Sequence, residues 1–140
     1  MKQIPVIFWT GTGNTQMMAD AIAEAINAAG AEAVVKNVSE ISADEAAGYD
    51  ALALGCPAMG AEVLEECEFE PFFNELEGKL AGKKVALFGS YGWGGSYMQD
   101  WEARVKDAGA TLVADGVLAL GAPDDEAMAK LAEAGKLLAE

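Results

Sequence analysis

The sequence predicts an α/β fold: a three-layer, doubly wound sheet of five parallel strands in the order 2-1-3-4-5. Three observations carry this. Short apolar runs alternate along the chain with stretches of helical periodicity. Turn residues separate the two kinds of segment. Five strands joined through helices pair in parallel and are covered on both faces, and right-handed crossovers leave few topologies. The chain has 140 residues, 52% of them apolar. That fits a single domain, residues 1–140, since domains commonly run about 100–150 residues.

The elements follow in order. Ile4-Pro5-Val6-Ile7-Phe8-Trp9 reads as a fully buried first strand. Asn14 to Ala29 reads as a helix, with Met18, Ile22 and Ile26 on one face and Gly30 as its C-terminal cap. Ala33 to Val38 is the second strand. Ser42-Ala43-Asp44-Glu45 has the capping-box spacing and starts a short helix. Asp50 to Cys56 is the third strand, Pro71 to Leu80 a helix, and Lys84 to Gly89 the fourth strand. Tyr97 to Ala108 is a helix, Thr111 to Leu120 the fifth strand, and a helix capped by Asp124 or Asp125 closes the chain.

Charge narrows the function. Twenty-three acidic residues face nine basic ones and no histidine, a formal net charge of −14. Nucleic-acid binding needs clustered Lys and Arg, and an anionic membrane surface repels such a protein. A basic protein partner is the natural complement. Cys56 and Cys67 form no CxxC and read as free thiols of a reducing cytoplasm. Met1 to Trp9 is far too short to span a membrane and has no small-residue cleavage site.

A sheet in this order places a ligand crevice at the carboxyl ends of the strands, where strands one and three diverge. Three loops border it: Thr10–Thr15, Pro57–Glu66 and Ser90–Ser96. The first, Thr10-Gly11-Thr12-Gly13-Asn14-Thr15, joins a buried strand to a helix N-terminus. It offers three hydroxyls, one amide side chain and two glycines, which together make a phosphate cradle. Neither the Walker A lysine nor GxGxxG is present, so the loop suits one terminal phosphate. Lys36 is the only base between residues 3 and 78. A phosphate here is held by neutral donors and keeps its charge. The plain alternative is a strand–turn–helix connection with Asn14 or Thr12 as N-cap.

The second loop runs Pro57-Ala58-Met59-Gly60-Ala61-Glu62. Gly60 lets the Met59–Gly60 peptide adopt either of two turn types, and Met59 suits packing on an aromatic ring. Taken alone, Met59 reads equally as core filling. Glu62, Glu65, Glu66, Glu68 and Glu70 follow, with no base among them, and taken alone read as a solvated face. The third loop, Ser90-Tyr91-Gly92-Trp93-Gly94-Gly95-Ser96, sets a tryptophan among glycines. Trp93 there stacks on a flat ligand or belongs to a protein interface.

Together the three loops resemble the flavodoxin family, in particular the short-chain members from anaerobic bacteria. The match lies in the GTGNT stretch Gly11–Thr15, the Ala-Met-Gly-x-Glu turn at 58–62, the acidic run into Phe69-Glu70-Pro71-Phe72, and KKVALFGSYGWG at Lys83–Gly94. It extends over nearly the whole chain in the same order. The resemblance implies a flavodoxin-like fold, a bound FMN, and electron transfer rather than enzymatic turnover. It implies that Thr10, Thr12, Asn14 and Thr15, with the backbone from Gly11 through Gly13 to Thr15, bind the FMN phosphate. Met59 and Trp93 enclose the isoalloxazine ring, Trp93 on the outer side, and Pro57, Ala58, Ala61 and Gly94 are counted among the cofactor-binding residues. The Gly60 carbonyl turns toward flavin N5 and Glu62 accepts from N3, both tuning redox behaviour. Tyr91, Gly92 and Trp93 bind the pyrimidine end through backbone groups, and Ser90 lies near the ribityl chain or phosphate. No metal is expected. Two positions depart from the pattern: relatives usually carry a polar residue where Ala61 stands, and several carry Trp where Tyr97 stands. Cys56 reads as a buried strand-end residue without redox chemistry.

The family reading is a low-potential one-electron carrier, a cytoplasmic monomer that shuttles between semiquinone and hydroquinone and serves basic redox partners. A carboxylate at ~10 Å and an effective dielectric of ~40 disfavours an anionic reduced ring by roughly 0.8 kcal/mol. A hydrogen bond from N5–H to the Gly60 carbonyl adds about 1 kcal/mol to the one-electron state. One rival is an FMN-dependent NAD(P)H:quinone-type reductase on the same fold, for which Trp93 blocks the space over the flavin. Another is a phospho-acceptor domain, excluded because Trp9-Thr10, Gly55-Cys56 and Leu120-Gly121 stand where it needs acids and a lysine.

Overall fold

The protein is described by a computed structural model, which covers residues 2–9, 13–57, 68–91 and 96–140. The strands are β1 (Gln3–Phe8), β2 (Glu32–Asn37), β3 (Ala51–Gly55), β4 (Lys84–Tyr91), β5 (Thr111–Leu112) and β6 (Val117–Leu120). The helices are α1 (Asn14–Ala28), α2 (Ala43–Ala46), α3 (Phe69–Glu77), α4 (Ser96–Asp107) and α5 (Asp125–Ala139), with a single 3-10 turn at Val38–Glu40. All strand pairs are parallel, in the order β2-β1-β3-β4-β5, and β6 continues along β4. The doubly wound order expected from the sequence is the one observed.

Side-chain alternation along the central strands builds two different cores. Leu52, Leu54 and Cys56 of β3 and its end face α2, α3 and α4, with Val85 and Leu87 of β4 beside them. Ala51 and Ala53 of β3 and Ala86 of β4 face α1 and α5. Small residues on that face let the two long helices sit close to the sheet and to each other. A Cβ on Gly135 of α5 would press on Ala25 and the backbone of α1. The large-residue face is closed by Phe69, Phe73 and Trp101, whose indole meets both phenyl rings edge-on at 5.5 and 5.9 Å.

The expected helix boundaries hold to within a few residues, and the caps explain why. Gly30, at φ 95°, donates to the Asn27 carbonyl while Ala31 donates to Ile26, so α1 ends in a Schellman motif. Ser42 and Glu45 form the expected reciprocal capping box. Asp124 caps α5 by accepting from the Ala127 N–H at 2.8 Å.

Four expectations need correction. The fifth strand is not continuous. Between the pairs Val85–Leu112 and Phe88–Val117, three steps of β4 oppose five of its neighbour. The two extra residues form a bulge in which Gly116 donates to the Glu102 carboxylate at 2.7 Å. Ser90 and Tyr91 belong to β4 rather than to a loop, because pairing with Ala119 and Leu120 of β6 extends the strand. Trp9 lies just past β1 and is half-buried instead of sealed in the sheet. Finally, the N-cap position of α1 is Gly13, at φ 93°, and Asn14, one of the two candidates for that place, is the first helical residue.

Candidate functional site

The carboxyl edge of the sheet collects the described residues that the sequence singled out. β1 ends beside β3 at Phe8–Gly55, and β3 ends beside β4 at Gly55–Phe88. Trp9 extends the first ladder by donating its N–H to the Gly55 carbonyl at 3.0 Å, and Cys56 extends the second through Phe88 at 3.1 Å. Pro57, Ser90 and Tyr91 therefore stand at the same edge as the start of α1, where Gly13, Asn14 and Thr15 lie. Thr10, Gly11, Thr12, Ala58, Met59, Gly60, Ala61, Glu62, Gly92, Trp93 and Gly94 lie outside the described residues, as does Cys67.

The start of α1 has the chemistry of an anion site. Gly13 in the left-handed region needs no Cβ and turns the chain directly into the helix. The first turn contains no acidic residue, so nothing there opposes the positive end of the helix dipole. The first N–H groups of a helix have no intrahelical acceptor and point out of its end. Thr15 is buried at the base of this turn. The available donors are neutral amides and hydroxyls, which suit a phosphate monoester whose charge is not cancelled.

Four polar contacts frame the rest of the edge. The Ser90 hydroxyl donates to the Gly121 carbonyl at 2.7 Å, and the Gly121 N–H donates to the Tyr91 carbonyl at 3.0 Å, so the turn after β6 is fastened to the end of β4. The Trp9 indole donates to Glu68 at 3.2 Å, joining the end of β1 to the residue before α3. The Tyr97 hydroxyl, buried in the first turn of α4, donates to the Cys56 carbonyl at 2.8 Å. Cys56 is itself fully buried, as expected for a strand-end residue.

Sequence reasoning missed Trp9 as a member of this edge and singled out Tyr97 only as a departure from the family pattern, without its contact to Cys56. The available signal was position: each aromatic adjoins a glycine-rich loop, and each has a polar tip needing a partner when partly buried. The acidic run also needs correction. Glu70 is no unpaired surface acid, because Arg104 of α4 meets it through two parallel bonds of 2.8 and 2.9 Å and also reaches Glu77 and Asn74. The same guanidinium lies 4.7 Å above the Phe73 ring. Its pKa is raised further above the ordinary value, first by the hydrogen bond to Glu70 and next, against desolvation, by Glu77. Arg104 therefore stays charged and clamps α3 to α4.

Comparison with known proteins agrees with this geometry. The sequence profile of the flavodoxin family matches residues 6–135. A flavodoxin from Clostridium beijerinckii is 48% identical over 135 residues, covering 96% of this chain and 97% of that one. One from Megasphaera elsdenii is 47% identical over 116 residues, covering 82% and 85%. The solution structure of the two-electron reduced Megasphaera elsdenii flavodoxin superposes with a TM-score of 0.90 at 43% identity, covering 97% of this chain and 98% of that one.

Proposed function

This chain belongs to the flavodoxin family, whose members are FMN-binding electron-transfer proteins, and from that premise we propose that residues 1–140 act as one domain holding a single FMN non-covalently at the carboxyl edge. In this reading the protein is a low-potential carrier that moves electrons singly between redox enzymes. The observation that carries it is the opening of α1 from a left-handed Gly13 with no acid in its first turn. Gly11, Gly13, Asn14 and Thr15, with Thr10 and Thr12, receive the phosphate through backbone N–H groups and neutral side chains. FMN supplies reversible one-electron chemistry when bound.

The other loops complete the site. Pro57 through Glu62 lead from the end of β3 to one face of the flavin, with Met59 against the ring, the Gly60 carbonyl at the N5 edge and Glu62 at N3. Tyr91, Gly92, Trp93 and Gly94 lead from the end of β4 to the other face. Trp93 covers the ring, and Ser90 lies near the ribityl chain or phosphate. A crevice of neutral donors bordered by carboxylates disfavours added negative charge on the ring and lowers its potential. The protein works as a cytoplasmic monomer whose acidic edge receives basic redox proteins.

Titrating the apoprotein with FMN and with riboflavin tests the site. One FMN binds per chain with its fluorescence quenched, and riboflavin, lacking the phosphate, binds at least tenfold more weakly, about 1.4 kcal/mol. Equal affinity for the two flavins contradicts the phosphate cradle. No binding of either contradicts the function.

A further inference from the structure

Cys56 is held through both of its backbone polar groups. Its N–H completes the β3–β4 ladder by donating to Phe88 at 3.1 Å. Its carbonyl lies past the last paired residue of β3, Gly55, and accepts from the Tyr97 hydroxyl at 2.8 Å. Pro57 follows and restricts Cys56 to extended geometry. The direction in which the chain leaves β3 is thus set by one residue whose backbone N–H and C=O are both bonded.

Tyr97 stands two residues after the stretch 92–95, in the first turn of α4. Its hydroxyl reaches Cys56 by passing over Gly89 of β4. A Cβ on Gly89 would meet both the Tyr97 hydroxyl and the Cys56 carbonyl, so glycine at that place keeps the path open. The ring is stacked on Trp101 at 6.5 Å and buried, so it cannot swing away. Cys56, two residues before 58, and Tyr97, two residues after 95, are therefore joined by one hydrogen bond that passes over β4. Trp9, through Glu68, holds the far end of the 58–67 stretch.

Resting on the FMN reading above, we propose that Tyr97 is a positioning residue that fixes the two ring-facing loops relative to each other through the Cys56 carbonyl. By setting the exit direction of β3 it sets where the Gly60 carbonyl meets the N5 edge, and by anchoring α4 it sets where Trp93 closes. Removing the hydroxyl loosens FMN and weakens the contact at N5, so the two one-electron potentials converge.

The test compares Tyr97→Phe with Trp101→Phe. The first removes one oxygen and keeps the stacked ring. The second loosens the same aromatic cluster but keeps a ring for Tyr97 to stack on and leaves its hydroxyl in place to bond Cys56. FMN dissociation constants come from fluorescence titration, potentials from anaerobic redox titration, and apoprotein stability from urea unfolding. In Tyr97→Phe the dissociation constant rises about fivefold, the loss expected for one neutral hydrogen bond, and the potentials move together. Trp101→Phe loses stability yet keeps its dissociation constant within about twofold, the latitude of an indirect effect. The proposal is overturned if Tyr97→Phe retains wild-type affinity and potentials, or if Trp101→Phe shifts them equally. Failure of the wild-type protein to bind FMN would instead overturn the function on which the proposal rests.

Discussion

At the scale of single residues, small side chains decide how closely the parts approach. Gly55 is the end of β3 on its alanine face, and a Cβ there would enter the ring of Phe88, a fully buried residue of the adjacent strand. Gly116 in the bulge also has a neighbour in the way, but it is the thioether end of Met98. A rigid, fully buried phenyl ring yields little to an added methyl, whereas a methionine tip can bend aside. Gly55→Ala should therefore cost about 2–3 kcal/mol of unfolding free energy, as overpacking does in other cores. Gly116→Ala should cost less than about 1 kcal/mol, the range for a methionine that repacks. Urea unfolding of the two variants checks this. Equal losses would mean that Met98 is as constrained as Phe88.

At the scale of elements, the clamp between α3 and α4 is the strongest polar contact among the described residues. Arg104 is about a quarter exposed, with side-chain accessibility of 27%. It combines a two-bond contact to Glu70, contacts to Glu77 and Asn74, and stacking over Phe73. Arg104→Met keeps most of the stem over Phe73 and leaves two carboxylates facing each other. A loss of about 1–2 kcal/mol is expected, below the range for a fully buried pair because water screens the site. A melting temperature unchanged from wild type would show the clamp to be without net effect. The clamp was not legible in the sequence, since Glu70 and Arg104 stand 34 residues apart and only the packing of α3 beside α4 joins them. The alternation of strands and helices, the caps at Ser42, Asp124 and Gly30, and the sheet order were legible because each depends on local periodicity or turn chemistry. The split of the fifth strand was not. Thr111 to Leu120 carries an unbroken strand signal except at Asp115-Gly116, and the bulge follows from the demands of Glu102 and Met98 in α4. For the same reason Ser90 and Tyr91 read as loop: their strand character comes from β6, not from their own sequence. At the site edge, the start of α1 at Asn14 was legible from the Gly and Thr pattern before it, whereas Trp9 and Tyr97 act through partners in other elements.

At the scale of the whole molecule, charge sets how the protein meets its partners. The net charge of −14 would attract a basic protein at long range, and acids following the 57–62 turn would bias where it lands. Glu70 is paired with Arg104, which leaves Glu62, Glu65, Glu66 and Glu68 as the acids of this run proposed to steer a partner. Electron transfer from a basic reductase should slow steeply as ionic strength rises from about 10 to about 500 mM, as the Debye length falls from ~30 to ~4 Å. Replacing Glu65 and Glu66 by Gln should lower both the rate at low salt and its salt dependence, whereas Glu70→Gln should lower stability more than rate. A stopped-flow series with equal, salt-independent rates in wild type and double variant would reduce these acids to solubilising groups. The same edge determines what the molecule does with an electron, and an anaerobic redox titration of the FMN-loaded protein reads that most directly. The account predicts two separated one-electron steps, the second at low potential, and no reduction by NADH alone. A single two-electron step together with rapid reduction by NADH would contradict it.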